Sequence, residues 1–83
     1  MSAHIELKRE IYKRITDTDD MKAIIARCAL KSVDKQILAM ILADRHDEGF
    51  VADTLGYSYS QVKRRFATVL PTFVSVAKRM GYL

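Results

Sequence analysis

One cysteine, one proline and three glycines in 83 residues exclude several kinds of protein. A lone Cys28 can neither close an intrachain disulfide nor build a cysteine-rich zinc site, so a reduced, cytoplasmic setting is expected. Sparse Pro and Gly beside 49% apolar residues argue against disordered and collagen-like chains. The longest unbroken apolar run, Ile37 to Ala43, has seven residues, whereas a membrane span needs about 20. No signal-peptide pattern opens the sequence, and no membrane partner is expected.

Motifs of enzyme chemistry are missing too. There is no glycine-rich phosphate loop, nucleophile elbow or paired-histidine metal motif, and so short a chain does not easily shape a deep pocket. No enzymatic activity, cofactor or metal is expected. His4 and His46 read as surface residues, and the group Asp44, His46, Asp47, Glu48 as a loop with a helix cap. Cys28, Met21, Met40 and Met80 read as packing residues.

The last absence is positional. Residues 54–83 hold five basic side chains and no Asp or Glu, while residues 1–53 hold nine basic and ten acidic ones, so the net +4 lies entirely in the C-terminal part. A segment without a carboxylate is what a surface facing a polyanion requires.

What is present reads as one all-α domain over residues 1–83, a small bundle of five or six helices, since two domains would need more chain. Leu7, Ile11 and Ile15, four residues apart, predict an amphipathic helix from about Ala3 to Ile15, with Ile5 and Tyr12 nearby and basic residues between. Thr16 to Asp20 can cap a second helix, from about Asp19 to Leu30, with Met21, Ile24, Ile25 and Cys28 on one side. Residues 1–30 form an N-terminal helical extension to a trihelical core at 33–70. Ser32 caps the third helix, from about Val33 to Asp44, whose wide apolar face makes it central. Asp47 caps a fourth, Glu48 to Leu55, ended by Gly56.

Ser58 and Gln61 form a capping box that opens a fifth helix at Tyr59, running to about Leu70 with Val62, Phe66 and Val69 inward. Pro71 either kinks this helix or starts another; a separate helix from Pro71 to Met80, ended by Gly81, is the favoured expectation. Phe73, Val74, Val76, Ala77 and Met80 would pack inward there.

Residues 47–69 thus read as two helices around a tight turn, with Ala52 small enough for a steep crossing, Gly56 permissive in the turn, and Leu55, Val62 and Phe66 filling the wedge. The string Val51-Ala52-Asp53-Thr54-Leu55-Gly56-Tyr57-Ser58 followed by Val62-Lys63-Arg64-Arg65-Phe66 resembles the helix-turn-helix of RNA polymerase sigma-factor region four. Ser32 to Leu42, with Asp34, Ile37 and Leu38, is similar to the helix preceding the motif there, so the resemblance covers about residues 30–70. It implies contact with promoter DNA through the second helix and with RNA polymerase through the same domain. It puts Lys63 and Arg65 at backbone-contacting positions and Ser60, Gln61 and Arg64 on the groove-facing side. No sigma region two accompanies the motif, so a stand-alone regulator of the mobile-element type is expected rather than a complete sigma factor.

The residues give similar roles by themselves. At 100° per residue, Val62, Phe66 and Val69 fall within about 60°, opposite Ser60, Arg64, Ala67 and Thr68. The outward face near the start of such a helix enters the major groove, which makes Tyr59, Ser60, Gln61 and Arg64 candidates for base edges, with Gln suited to adenine and Arg to guanine. Lys63 and Arg65 suit phosphates, and Lys78 and Arg79 can add backbone contacts or simply complement the helix dipole. The expected DNA-binding set is Ser58, Tyr59, Ser60, Gln61, Lys63, Arg64, Arg65 and Thr68. The expected function is sequence-specific binding of double-stranded DNA as a transcriptional regulator. The alternative is a protein-interaction module that docks on RNA polymerase or another regulator. A homodimer would supply two half-sites, joined through Phe73, Val74 and Val76 or through the first helix.

Overall fold

The computed structural model describes the backbone of residues 3–83 and the side chains of residues 6–83. The expectations for the side chains of His4 and Ile5 lie outside the described residues. Five helices and no strand occur among the described residues: α1 (Ala3–Arg14), α2 (Thr18–Arg27), α3 (Ser32–Leu38) continued by a π-helical turn (Ala39–Ala43), α4 (Glu48–Leu55) and α5 (Tyr59–Arg79). The chain is a small all-α bundle, and no described helix is long and apolar enough to cross a membrane.

Four-residue spacing buries Ile11 and Ile15 against the bundle, leaving Arg9, Glu10, Lys13 and Arg14 exposed. Lys8 departs from that outer face: it is half-buried, and its ammonium lies 5.8 Å from the centre of the Phe66 ring. The Asp17 carboxylate caps α2 by accepting from the Asp19 amide at 2.8 Å. α2 stops at Arg27, short of the expected Leu30, because Cys28 is extended (φ −73°, ψ 134°). That bend turns the chain back onto α2, and the Lys35 ammonium reaches across it to the Ala26 carbonyl at 3.2 Å.

Ser32 is not the N-cap of α3. The cap position falls on Lys31, which offers no side-chain acceptor, and Ser32 is already helical. The first intrahelical bond runs from the Lys35 amide to the Lys31 carbonyl at 3.0 Å, and Asp34 supplies negative charge to the first turn, where the helix dipole favours it.

The expected single helix to Asp44 divides at Ala39, inside the seven-residue apolar run. From Ala39 the turns widen, with the Asp44 amide donating to the Ala39 carbonyl at 3.0 Å. A wider turn lets the consecutive residues Ile41, Leu42 and Ala43 all be buried, which the 3.6-residue spacing of an α-helix does not favour. The Tyr12 hydroxyl donates to the Ile41 carbonyl at 3.0 Å. Arg45 ends the segment at φ 62°, a left-handed conformation costly for a side chain with a Cβ, and its guanidinium rests 3.9 Å over the Tyr12 ring.

α5 is one helix of 21 residues with Pro71 inside it, so the expected separate C-terminal helix is corrected. Pro71 is exposed, which keeps its ring out of the packed face, while Val69, Leu70 and Phe73 on either side are buried. Their burial carries the helix through a residue that removes one backbone hydrogen bond. The same burial overturns the expected dimer surface on this segment: Phe73 and Val76 belong to the core, and Val74 is half-buried. Past the Met80 cap of α5, Gly81 turns the chain at φ 89°, with the Tyr82 amide returning to the Ala77 carbonyl at 2.9 Å. The Tyr82 hydroxyl then donates to Asp20 at 3.0 Å, tying the end of the chain to α2.

One core cluster joins all five helices, with Ile11, Ile24, Ile37, Val51, Phe66 and Phe73 among its members. α3 and α4 both pack on α5, and α2 packs on the π-helical turn and on α5.

Candidate nucleic-acid interface

The site is built on α4, a tight turn and the first half of α5. Asp47 starts α4 by accepting from the Phe50 amide at 2.8 Å, so this carboxylate is a helix cap as expected. His46 stacks on Phe50 with ring centres 4.1 Å apart. At the other end of α4 the amides of Gly56 and Tyr57 both return to the Ala52 carbonyl, at 2.9 and 3.0 Å. The left-handed φ of 77° at Gly56 makes that double closure possible, since a side chain there would be strained.

Two residues later α5 begins. The Ser58 hydroxyl accepts from the Gln61 amide at 3.1 Å and the Gln61 side-chain oxygen accepts from the Ser58 amide at 2.9 Å, the reciprocal cap expected from the sequence. Ala52 and Val51 are buried beneath the turn. This fixes where α5 starts and therefore which of its residues face outward.

Val62, Phe66 and Val69 are buried, and Ser58, Ser60, Gln61, Lys63, Arg64, Ala67 and Thr68 are exposed, as the wheel required. Tyr59 stands out at 51% exposure, its ring beneath the Lys63 ammonium at 5.5 Å. The Thr68 hydroxyl donates to the Arg64 carbonyl at 2.9 Å, leaving its oxygen to accept. Gln61 spends its carbonyl oxygen on the cap, and its amide NH₂ is the part directed to other partners.

Arg65 differs from the rest of the set. It is half-buried, its Nη1 lies 3.0 Å from Asp34 Oδ1, and its guanidinium sits 5.3 Å over Tyr57. Asp34 is the buried charged residue of the described core, and this is the ion pair found among the described residues. Arg65 therefore clamps α5 to α3. The neighbouring Lys63 and Arg64 form no ion pair among the described residues. Asp34, Gln61, Arg64, Arg65, Thr68 and Val69 line an open depression of about 340 Å³ beside the exposed face.

Sequence reasoning did not anticipate the Arg65–Asp34 pair, because 31 residues separate the partners and nothing local couples them. It also missed Phe50, 48% exposed on a helix whose other apolar residues turn inward. Comparison with protein-family models, with curated proteins and with solved structures found no match.

Proposed function

We propose that this chain is a sequence-specific double-stranded DNA-binding protein of the helix-turn-helix type and acts as a transcriptional regulator, with the first half of α5 in the major groove. The observation that carries the reading is the outward face of α5. Ser60, Arg64 and Thr68, flanked by Gln61 and Lys63, stand opposite the buried Val62, Phe66 and Val69. No carboxylate follows Asp53 in the sequence. The likeness of residues 30–70 to sigma-factor region four, in chain order and in the Gly56 turn, supports the same reading.

Within it, Arg64 is the base-reading residue, since a free guanidinium can make two hydrogen bonds to guanine. Gln61, with its oxygen held by the Ser58 amide, donates one amide bond to a purine acceptor in place of the two-bond pairing with adenine. Lys63 meets phosphate, with Ser58, Ser60, Tyr59 and Thr68 near the same surface. Arg65 serves the interface by holding the angle between α3 and α5, a positioning role. The reading assigns no enzymatic step to the chain. A dimer on two half-sites would raise specificity.

A second reading, a module docking on RNA polymerase or another regulator, is favoured by the Phe50–His46 stack, an exposed aromatic pair at the start of α4. Anisotropy with labelled duplexes selected from a random pool separates the two. DNA binding predicts salt-dependent affinity that Lys63→Ala with Arg64→Ala abolishes while the helical spectrum is kept. Equal affinity of wild type and double variant for every duplex would sink the reading.

A further inference from the structure

We propose that the last turn of α5, together with the end of α2, forms a second contact with the DNA phosphate backbone, apart from the half of α5 that enters the groove; this rests on the DNA-binding reading above. α5 has 21 residues and is about 31 Å long at 1.5 Å per residue, and a straight helix of that length does not follow the major groove as it curves around the duplex, so its N-terminal residues are the ones that meet base edges. If the first half fills the groove, the second half extends past its edge, and the chemistry of that half decides whether it meets the flanking backbone.

Arg64, Ala67, Pro71, Ser75 and Lys78 are all exposed and fall within about 80° of one another around the helix. Lys78 lies about 21 Å along the axis from Arg64. Between them this face carries only Ala67, Pro71 and Ser75, so a basic residue stands at each end of a helix face that holds no Asp or Glu. Because Pro71 is inside α5 rather than at the start of a separate helix, the two ends stay in fixed register.

A second helix adds to the far end. Arg27, the last residue of α2, and Arg79 line one depression with Val76 and Met80. Both arginines are exposed, and neither forms an ion pair among the described residues. The fold thus brings two guanidiniums to one depression, with Lys78 next to Arg79 in sequence. Guanidinium groups pair with phosphate oxygens through two parallel hydrogen bonds, and contacts of this class fix register on a duplex without reading sequence. If these cations merely complement the C-terminal dipoles of α2 and α5, removing them leaves DNA binding untouched, which makes the two readings separable.

The test is fluorescence anisotropy of the full chain with a labelled duplex of about three helical turns, titrated between about 50 and 200 mM KCl. Arg27→Ala with Lys78→Ala and Arg79→Ala should lower the slope of log affinity against log salt by about 2 to 3, near 0.9 for each phosphate that is no longer neutralised. Lys78→Ala alone should lower it by about 0.9. The sequences selected from a random pool should stay those of the wild type. A control triple, Lys13→Ala with Lys22→Ala and Arg14→Ala, removes the same charge elsewhere and should leave the slope unchanged. A wild-type slope in the first triple and in Lys78→Ala, or an equal fall in the control, overturns the second contact while the groove reading stands. Loss of any difference between wild type and the Lys63→Ala, Arg64→Ala variant overturns the DNA-binding reading, and the second contact with it.

Discussion

Arg65 and Asp34, 31 residues apart in sequence, meet at 3.0 Å across the α3–α5 contact, and the two are unequally covered, with 38% of the Arg65 side chain exposed against 12% of Asp34. This asymmetry makes the consequences of losing either partner unequal. Arg65→Ala strands a buried carboxylate and is expected to cost about 2–3 kcal/mol, less than a fully buried pair because of the exposure. Asp34→Ala leaves a guanidinium that can turn to solvent and is expected to cost about 1 kcal/mol. Urea unfolding of both variants checks the order. Equal losses would mean that the pair contributes through packing alone.

Pro71 is the residue whose removal should strengthen the protein. Pro71→Ala restores an amide donor in the middle of α5 and relieves the ring's crowding of the preceding turn, against a more flexible unfolded chain. A gain of about 1–2 kcal/mol is expected, seen as a rise in melting temperature of several degrees for a domain of this size. A fall would show that α5 depends on a bend at this position.

Gly56 should tolerate substitution poorly although space surrounds it. No atom lies within 4 Å of where a Cβ would stand, yet φ is +77°, so the penalty is backbone strain rather than a clash. Gly56→Ala is expected to lose about 1 kcal/mol and Gly56→Asn distinctly less, because Asn tolerates the left-handed region better. Thermal melts of the two variants read the difference.

Alkaline pH should loosen the bundle through its tyrosines. Burial raises the pKa of Tyr12 above its ordinary 10.0, with Arg45 opposing the shift in part. The hydrogen bond to Asp20, followed by burial, raises Tyr82 above the same value. In both cases the folded state holds its proton more tightly than the unfolded chain. The stability they contribute is therefore complete below about pH 10 and is lost as pH rises through the folded-state values. Tyr12→Phe and Tyr82→Phe should flatten the decline in unfolding free energy above about pH 10 relative to wild type. An unchanged slope in both would place the alkaline transition elsewhere.

Cys28 should react only when the chain opens. Its thiol is buried and donates to the Ile24 carbonyl at 3.4 Å, and burial raises its pKa above the ordinary range, leaving little thiolate to attack a disulfide reagent. Reaction with a chromogenic disulfide at mildly alkaline pH should be slow in native protein and fast in urea. Fast native labelling would show that α2 opens locally.

The local features were legible in the sequence because their causes span a few residues. Asp47 to Gly56 and the Ser58–Gln61 box fixed the limits of α4 and the start of α5, since each orphan amide found its acceptor within four positions. The buried stripe Val62, Phe66, Val69 followed from helical period alone. Ser32 misled because a good capping side chain does not decide the boundary when the following turn is held by packing and by Asp34.

By itself, then, the sequence determined an all-α chain, the turn at Gly56, the cap at Ser58 and a carboxylate-free C-terminal segment, all of them set by backbone stereochemistry and composition. Tertiary packing decided the rest. It widened Ala39–Ala43, the second part of the apolar run, into a π-helical turn in which Ile41, Leu42 and Ala43 are all buried. It carried α5 through Pro71 by burying Leu70 and Phe73 beside it. It also took Arg65 away from the exposed face by setting a buried carboxylate beside it. The physical reason is common to all three: burial and ion pairing across helices outweigh local preferences of about 1–3 kcal/mol, and no window of neighbouring residues contains the partners that supply them.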